Sequence, residues 1–321
     1  MEEILSVKNL KKYFTKKGLS GISKETIRVA DGVSFLIKSG ETLVLAGESG
    51  SGKTTIARMI LRALEPDSGI IFFEGQEITN QQDLLRKIRL GCQMVHQDPY
   101  ASINPRLTVR DIVREPLDIH SIGDKNEREQ LVLQALGQVK LEPVEEIATK
   151  YPHMLSGGQR QRVAIARAIV TKPKVIIADE PVSMLDVSVR IGVLELMKEL
   201  QEKMNISFLY ITHDLATANY IGNRIAILYL GKIVEMGSIN EILSSPRHPY
   251  TQALIDSISY PDPENLNKEK KIRINESLDI DVYEGCRFRA RCPYAIEKCK
   301  QEPKLEEISP NRQAACFVKI N

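Results

Sequence analysis

The sequence has no run of about 18 apolar residues, the length that a membrane-spanning helix requires. Its net charge is only +2, so no strong electrostatic field favours binding to nucleic acid or to an acidic membrane surface. The start, Met1-Glu2-Glu3, lacks the basic and apolar regions of a signal peptide. We therefore expect a protein of the cytoplasm, where thiols are kept reduced.

Internal repeats and heptad arrays are also missing, which argues against solenoids and coiled coils. With 321 residues, 42% apolar and 27% charged, the chain can bury the core of one large domain and still form a small second one. The composition changes near Ser257. Residues 261–285 then combine prolines, acids and a Lys268–Lys271 charge run, which is typical of a linker.

Apolar runs and helical periodicity alternate along the first 257 residues. Strand, helix and strand again in this order, with fully apolar strands, predict a mostly parallel sheet. Residues 98–150 interrupt the order with prolines and helix-like sequence, which predicts a helical insertion. We predict strands over 33–37, 42–46, 70–73, 175–178, 207–211 and 224–229, and helices after Lys53 and over 128–136, 159–170 and 187–203.

Residues 47–54, Gly-Glu-Ser-Gly-Ser-Gly-Lys-Thr, fit a phosphate-binding loop between a predicted strand and a predicted helix. The glycines let backbone N–H groups point at phosphate oxygens, and the helix N-terminus favours anions. Lys53 is expected to reach the β- and γ-phosphates, and Thr54 to bind Mg²⁺. The predicted nucleotide-binding residues of this loop are Gly47, Glu48, Ser49, Gly50, Ser51, Gly52, Lys53, Thr54 and Thr55.

An apolar strand, residues 175–178, ends in two carboxylates, Asp179 and Glu180. Solvated acids at a strand end are common, but a phosphate-binding loop upstream favours a functional interpretation. Asp179 is placed to hold Mg²⁺ through water. Glu180 is placed to accept a proton from the attacking water.

Leu155-Ser156-Gly157-Gly158-Gln159, together with the phosphate loop, resembles the ATP-binding subunits of ABC transporters. The resemblance covers about residues 4–237. It implies an α/β P-loop NTPase cassette with a mostly parallel sheet, an antiparallel β subdomain and an inserted helical subdomain over about 98–165, followed by a small metal-bound C-terminal tail. It also implies that the signature residues Ser156, Gly157, Gly158 and Gln159 contact ATP held by an opposite subunit.

Other positions match the family one by one. Gln97 resembles the glutamine that senses the metal and the water, and His213 resembles the histidine that contacts the γ-phosphate. Asp186 ends a segment, 183–186, that resembles the loop crossing the dimer interface, with Met184 where Ala is commoner. Phe14 resembles the aromatic residue that stacks on adenine, and Tyr13 is the alternative. His96 stands where Phe is commoner.

Two longer strings, residues 97–106 and 247–254, resemble the dipeptide and oligopeptide importers, and the region with Lys16-Lys17-Gly18 resembles the second of their two cassette types. The resemblance implies ATP hydrolysis at the cytoplasmic face of the membrane, by a peripheral subunit. Its partners would be a second cassette, as a heterodimer in the cell or a homodimer when isolated, two transmembrane permease subunits and, indirectly, an extracytoplasmic solute-binding protein. The alternatives are import of nickel or another small solute, and a soluble ABC ATPase acting on nucleic acid or ribosomes. The near-neutral charge argues against a nucleic-acid partner.

Four of the five cysteines lie in the last 36 residues, in the predicted second domain, 258–321, after a cassette of residues 1–257. In a reducing compartment they favour metal ligation over disulfides. Their gaps of five, six and sixteen residues fit zinc poorly and are compatible with a Cys₄ iron–sulfur cluster. Related importer tails are associated with a [4Fe–4S] cluster; Zn²⁺ and unligated thiols remain alternatives. The cysteines are Cys286, Cys292, Cys299 and Cys316, whereas Cys92 lies in an apolar run and is expected in the core.

Overall fold

The computed structural model describes residues 2–17, 24–79, 81–257 and 283–318. Gly18 and most of the predicted linker, including its charge run, lie outside the described residues. The strands are β1 Glu3–Lys17, β2 Lys24–Lys38, β3 Thr42–Ala46, β4 Ser68–Phe73, β5 Gln76–Glu77, β6 Cys92–Val95, β7 Val175–Asp179, β8 Ser207–Thr212, β9 Arg224–Tyr229, β10 Lys232–Ser238, β11 Glu306–Ser309 and β12 Arg312–Ala314.

The helices follow the strands with short connections. They are α1 Lys53–Ile60, α2 Leu85–Gly91, α3 Pro99–Ser102, α4 Val109–His120, α5 Lys125–Gln138, α6 Val144–Thr149, α7 Gly157–Ile169, α8 Val187–Met204, α9 Leu215–Ile221, α10 Ile239–Ser244 and α11 Pro249–Asp256. None of the described helices is long and apolar enough to cross a membrane.

The chain divides into two units, and strands β1, β2, β3, β4 and β8 each contribute residues to both. The first unit comprises Met1–Ser6, Leu36–Thr42 and Phe72–Ile211. In it β6 pairs with β7, and β7 with β8, all parallel. Their residues are almost wholly apolar because β7 and β8 are buried along their full length.

Five helices, α3–α7, follow one another between β6 and β7, so the predicted helical insertion is confirmed. Helix α5 begins with a capping box in which Asp124 and Glu127 each bind the other's backbone N–H. Helix α4 packs against α5, α6 and α7. Its buried face of Val109, Ile112 and Val113 makes the insertion a small helical core of its own.

The second unit comprises Val7–Phe35, Leu43–Ile71 and Thr212–Asn321. Strand β3 is parallel to β9, and β9–β10, β10–β12 and β12–β11 are antiparallel. Thus β11 and β12, which come from the C-terminal residues, extend a sheet that begins in the cassette. We call residues 283–318 the tail segment.

A second sheet has the strand order β2-β1-β4-β5, with β4 and β5 antiparallel. The predicted strand 33–37 was too short, since β2 runs over 15 residues. Its polar residues hid its length, because this strand does not alternate strictly between apolar and polar side chains. The strands predicted at 42–46, 175–178, 207–211 and 224–229, and the helices at 128–136, 159–170 and 187–203, are confirmed to within three residues.

Candidate nucleotide site

The phosphate loop lies in the second unit, between the fully buried strand β3 and helix α1. Gly52 is the N-cap of α1 with φ 107°, and a Cβ there would lie 2.1 Å from the carbonyl oxygen of Val29. Only glycine fits this conformation and this approach. The predicted order of strand, loop and helix is therefore confirmed.

Lys53 is 5% exposed and its ammonium is turned onto the loop itself. Its Nζ donates to the carbonyl oxygens of Gly47 and Glu48, each at 2.8 Å, and to Ser51 Oγ at 3.4 Å. A buried ammonium needs such partners, because burying an unpaired charge is costly. Phosphate oxygens carry more negative charge than carbonyl oxygens, so the same ammonium suits an anion in the loop. Thr54 is exposed, and Thr55 is half-buried.

Two aromatic residues near the start of the second unit differ in their surroundings. The Tyr13 hydroxyl donates to Asp31 Oδ1 at 2.5 Å, while the ring of Phe14 is 41% exposed. Burial and the bond to Asp31 raise the pKa of Tyr13 to about 12. Burial alone would raise the pKa of Asp31, but the Tyr13 hydrogen bond and the charges of Lys232 and Arg287 lower it. Tyr13 is thus held by the protein, whereas Phe14 is the more exposed ring and has Lys12 Nζ 5.8 Å from its centroid.

The strand-end acids lie in the first unit. Asp179 is the last residue of β7 and is buried, and Glu180 follows with φ 47°, a left-handed conformation that is uncommon outside glycine. The Glu180 N–H donates to Ile211 O at 2.9 Å. Gln97 Nε2 donates to Glu180 Oε2 at 3.1 Å. The structure therefore brings together two predicted residues, Gln97 and Glu180, that lie 83 positions apart.

The signature residues, also in the first unit, form the beginning of α7. Ser156 is its N-cap: Ser156 Oγ accepts the Gln159 N–H at 3.3 Å, and Gln159 Oε1 accepts the Ser156 N–H at 3.0 Å. A Cβ on Gly158 would lie 2.5 Å from a methyl group of Val189 in α8. Ser156 is exposed, and an exposed helix N-terminus suits an anionic partner.

The segment that resembles the interface-crossing loop also lies in the first unit and is exposed. Met184 and Val187 are 58% and 72% exposed, and Asp186 is the N-cap of α8 without a side-chain capping bond. Exposed large apolar side chains at neighbouring positions are typical of a surface that another chain covers. His213, in the second unit, directly follows β8 and is exposed. Nothing in the structure explains why residue 96 is His.

The four tail cysteines are half-buried or buried and influence one another's charge. Burial, with a smaller contribution from the charges of neighbouring cysteines, raises the pKa of Cys286 and of Cys292 to about 11. The Cys286 N–H donates to Cys299 O at 2.9 Å. Among the described residues, no three His, Cys, Asp or Glu side chains are placed to hold one metal ion. The arrangement of the described residues therefore supports neither the zinc site nor the iron–sulfur cluster, and both stay predictions.

A [4Fe–4S] cluster remains a prediction that rests on the four thiols, because thiolates are the ligands such clusters take. Cys92, by contrast, is 2% exposed in β6, and the prediction that it is a core residue is confirmed.

The sequence did not predict a role for two arginines of the tail, Arg287 and Arg291, or for Tyr250 of the cassette. Arg291 forms a two-pronged ion pair with the loop residue Glu48, and Arg287 pairs with buried Asp31. Tyr250 Oη accepts the Glu48 N–H at 2.9 Å. The arginines were visible in the sequence, but the partners of Arg287 and Arg291 lie 256 and 243 positions away and carry no local signal.

Family models match two parts of the chain: "ABC transporter" over residues 30–183, and "Oligopeptide/dipeptide transporter, C-terminal region" over residues 234–299. The chain is 43% identical to the oligopeptide transport ATP-binding protein AppF of Bacillus subtilis, over 99% of this chain and 98% of that protein. It is 42% identical to a putative peptide import ATP-binding protein of Brucella ovis, over 98% and 97%.

Solved structures agree with these relatives. The post-hydrolysis dimer of the ATP-binding cassette MJ0796, bound to ADP and Pi, matches with a TM-score of 0.64 and 32% identity, over 74% of this chain and 99% of that one. CbiO1 of Clostridium perfringens, part of the transporter complex cbiONQ, matches with a TM-score of 0.66 and 27% identity, over 76% and 92%.

Proposed function

The chain belongs to the ATP-binding proteins of ABC transporters, in the oligopeptide and dipeptide branch, and we propose that it hydrolyses ATP to drive peptide import. The observation that carries the proposal is the phosphate loop, with Gly52 at the helix N-terminus and Lys53 held on loop carbonyls. On this proposal the ammonium of Lys53 exchanges those carbonyls for the β- and γ-phosphates. Loop N–H groups bind the remaining phosphate oxygens.

The adenine ring stacks on Phe14 in this proposal. Phe14 is 41% exposed, whereas the Tyr13 hydroxyl is engaged by Asp31. Stacking of aromatic rings buries apolar area at little cost in side-chain entropy. Tyr13 then acts indirectly, by fixing the strand that carries Phe14.

Mg²⁺ suits the oxygen donors of the proposed set, a Thr54 hydroxyl, an Asp179 carboxylate and a Gln97 amide oxygen. When bound, the ion supplies charge that neutralises the phosphate oxygens. Asp179 is buried and remains positioned because it ends strand β7. The Gln97 side chain already approaches this strand end through its bond to Glu180.

Glu180 is the proposed general base. A water oxygen attacks the γ-phosphorus, its proton passes to the Glu180 carboxylate, and the bond to the ADP oxygen breaks. The Gln97 amide donates to one carboxylate oxygen and so leaves the other oriented for water. His213 is proposed to donate to the γ-phosphate, whose charge it helps to hold.

The site is completed by a second cassette in this proposal. Ser156, Gly157, Gly158 and Gln159 present a helix N-terminus to the γ-phosphate bound by the partner chain, and Asp186 lies at the interface. The exposed apolar side chains beside Asp186 support the proposal that a second cassette covers this surface. A heterodimer with the other cassette of the importer forms in the cell, and a homodimer when the chain is isolated.

Two permease subunits and, through them, an extracytoplasmic solute-binding protein are the further proposed partners. The protein then sits at the cytoplasmic face of the membrane as a peripheral subunit. The proposed domains are a cassette, 1–257, and a tail domain, 258–321. In that tail domain Cys286, Cys292, Cys299 and Cys316 hold a [4Fe–4S] cluster, which staples a segment with little apolar area of its own.

Replacing the base tests the hydrolysis proposal most directly. Glu180→Gln should bind ATP normally and turn over about 10²–10⁴-fold more slowly, because the amide cannot take the proton. Glu202→Gln, an exposed neutral substitution on α8, is the matched control. Turnover by Glu180→Gln within a factor of two of the parent would reject the assignment.

Mixing two defective chains tests the shared site. Lys53→Ala and Ser156→Arg homodimers should each be inactive, whereas a mixed dimer has one intact composite site and one doubly defective site. Recovered hydrolysis, with one nucleotide bound per mixed dimer, supports sharing. Two nucleotides per mixed dimer would contradict it.

The cluster is tested by anaerobic purification. The protein should be brown, absorb broadly near ~400 nm, and contain iron and sulfide at about four each per chain. A serine at any of the four cysteine positions should lose the colour and leave Lys53 chemistry intact. Stoichiometric zinc without iron would overturn the cluster.

A further inference from the structure

Glu48 of the phosphate loop is bound through its N–H, its carbonyl oxygen and its side chain. Its carbonyl oxygen accepts from Lys53 Nζ at 2.8 Å and from the Ser51 N–H at 3.2 Å. Its own N–H donates to Tyr250 Oη at 2.9 Å. Its carboxylate accepts from both terminal nitrogens of Arg291, at 3.0 and 3.2 Å. One residue therefore connects the nucleotide lysine to the tail segment.

Arg291 is held in place for this contact. Its side chain is 27% exposed, and its guanidinium lies 5.8 Å from the ring of Phe288 and 5.9 Å from the ring of Tyr229. Arg291 Nη1 also donates to Tyr229 Oη at 3.4 Å. A planar fork that meets a carboxylate with two parallel bonds is geometrically more specific than a lysine contact.

The platform beneath Arg291 joins the tail segment to the cassette. Phe288 is buried against Tyr229 and Tyr250, with ring centroids 5.3 and 5.5 Å apart, and Tyr229 and Tyr250 lie 4.4 Å apart. Such aromatic contacts are stronger than their buried area alone predicts. The same Tyr250 ring carries the hydroxyl that binds the Glu48 N–H.

We propose that Arg291 is a positioning residue for the ATP site: together with Tyr250 it fixes Glu48, and so the tail segment sets how well the loop binds nucleotide. The proposal rests on the proposed ATP-binding function of this loop. Arg291 touches neither phosphate nor water in it, and acts only through Glu48. Because Cys292 is the next residue, any change that loosens this turn of the tail also reaches the loop.

The physical effect is preorganisation. A loop whose N–H groups already face the phosphate position loses less conformational entropy on binding than a loop that must be ordered first. Removing Arg291 frees the Glu48 side chain and weakens the hold on the carbonyl that orients Lys53. We expect the loss in ground-state ATP binding, and little change in the hydrolysis step, which other residues carry out.

The test measures ATP affinity, KM and kcat for Arg291→Gln, Glu48→Gln, their double variant and Arg291→Lys in the full chain. Each single glutamine variant should weaken ATP binding about five- to tenfold, and for Arg291→Gln kcat should change less than twofold. The double variant should be no weaker than either single variant, since both remove one contact. Arg291→Lys should recover part of the affinity through a single charge.

Arg289→Gln is the matched control. It removes the same charge two positions away, and among the described residues its guanidinium has no ion-pair partner. It should bind ATP as the parent does. Thermal unfolding of every variant, and hydrogen exchange of residues 47–54 without nucleotide, separate loop order from loss of fold; exchange there should rise in Arg291→Gln and not in Arg289→Gln.

Equal affinity and equal loop exchange in Arg291→Gln and Arg289→Gln would overturn the proposal while leaving ATP binding by the parent intact. Additive effects of Glu48→Gln and Arg291→Gln would overturn it as well, because the residues would then act independently. If the parent chain binds no ATP, the proposed function fails first, and the exchange measurement still decides whether the tail orders the loop.

Discussion

The phosphate loop, residues 47–54, takes its shape from contacts a few residues apart, whereas the tail segment is attached through contacts that span most of the chain. Lys53 reaches carbonyls five and six positions back. Arg287 and Arg291 reach partners 256 and 243 positions away. The lysine contacts inside the loop are therefore local, Glu48 adds a long-range tie to the tail, and the tail itself depends on the fold of the cassette.

The two regions also differ in how their charges are balanced. In the loop, Lys53 Nζ is bound by neutral acceptors, the carbonyl oxygens of Gly47 and Glu48. The tail pairs its arginines with protein carboxylates: Arg287 with Asp31, and Arg312 with Glu235 at 3.0 Å. Glu235 is fully buried and also accepts the N–H groups of Arg247 and His248. Stability in the tail thus rests on ion pairs that are sensitive to loss of one partner.

The largest effect is expected from a substitution that disables the phosphate loop and leaves the tail segment intact. Lys53→Ala should lower ATP hydrolysis at least ~10²-fold, because no other group in the loop supplies positive charge to the γ-phosphate. Lys203→Ala, on the exposed end of α8, is the control. Steady-state hydrolysis and thermal unfolding are the measurements. A melting temperature of Lys53→Ala low enough to explain the lost activity by unfolding would show that the loop and the tail are not separable.

The second largest effect is expected from a substitution that destabilises the tail segment. Arg312→Leu leaves the Glu235 carboxylate buried without its counter-charge, and should lower the free energy of unfolding by about 3 kcal/mol. Urea unfolding measures the change, and limited proteolysis shows whether the tail is cut first. Arg289→Leu, half-exposed in the same segment, should change stability by less than about 0.5 kcal/mol. Equal values for the two variants would contradict a structural role for the buried pair.

A pH series sharpens the comparison. Burial lowers the pKa of His248 to about 3 from its ordinary 6.5, so the unfolded chain binds a proton between these values that the folded chain does not. Stability should therefore fall as pH falls below 6.5, by up to about 1.4 kcal/mol per unit from this group. His248→Asn keeps an acceptor for the Tyr250 N–H and should flatten the slope between pH 6 and 4.5.

The control for that series is His153→Asn, at an exposed position. It should leave the slope unchanged. If the pH dependence of stability is unaltered in His248→Asn, other groups dominate the acid response and His248 contributes little to it.

The smallest effect concerns the adenine contact. Phe14→Leu should weaken ATP binding about fivefold through loss of ring stacking. Tyr13→Leu should instead lower the free energy of unfolding by about 1 kcal/mol, because the part-buried Asp31 loses a hydrogen bond. Equilibrium binding and urea unfolding of both variants separate the roles. Weaker binding in Tyr13→Leu than in Phe14→Leu would assign the adenine to Tyr13.

The sequence predicted the parts of the site whose chemistry is local. Gly52 at a helix N-terminus and Ser156 as an N-cap follow from short-range geometry, and both motifs are read within ten residues. The strands β7, β8 and β9 were predictable because burial on both faces forces them to be apolar. Strand β2 was predicted too short, because partly polar strands carry no such mark.

By itself, the sequence determined the nucleotide chemistry, the helical insertion and the family, because each depends on residue types at fixed short spacing. Only the tertiary structure decided three pairings. Gln97 is hydrogen-bonded to Glu180, Tyr13 to Asp31, and Arg291 to Glu48. The physical reason is that a charged side chain can pair with many opposite charges in a sequence. Folding selects the one pair that burial brings within hydrogen-bond distance.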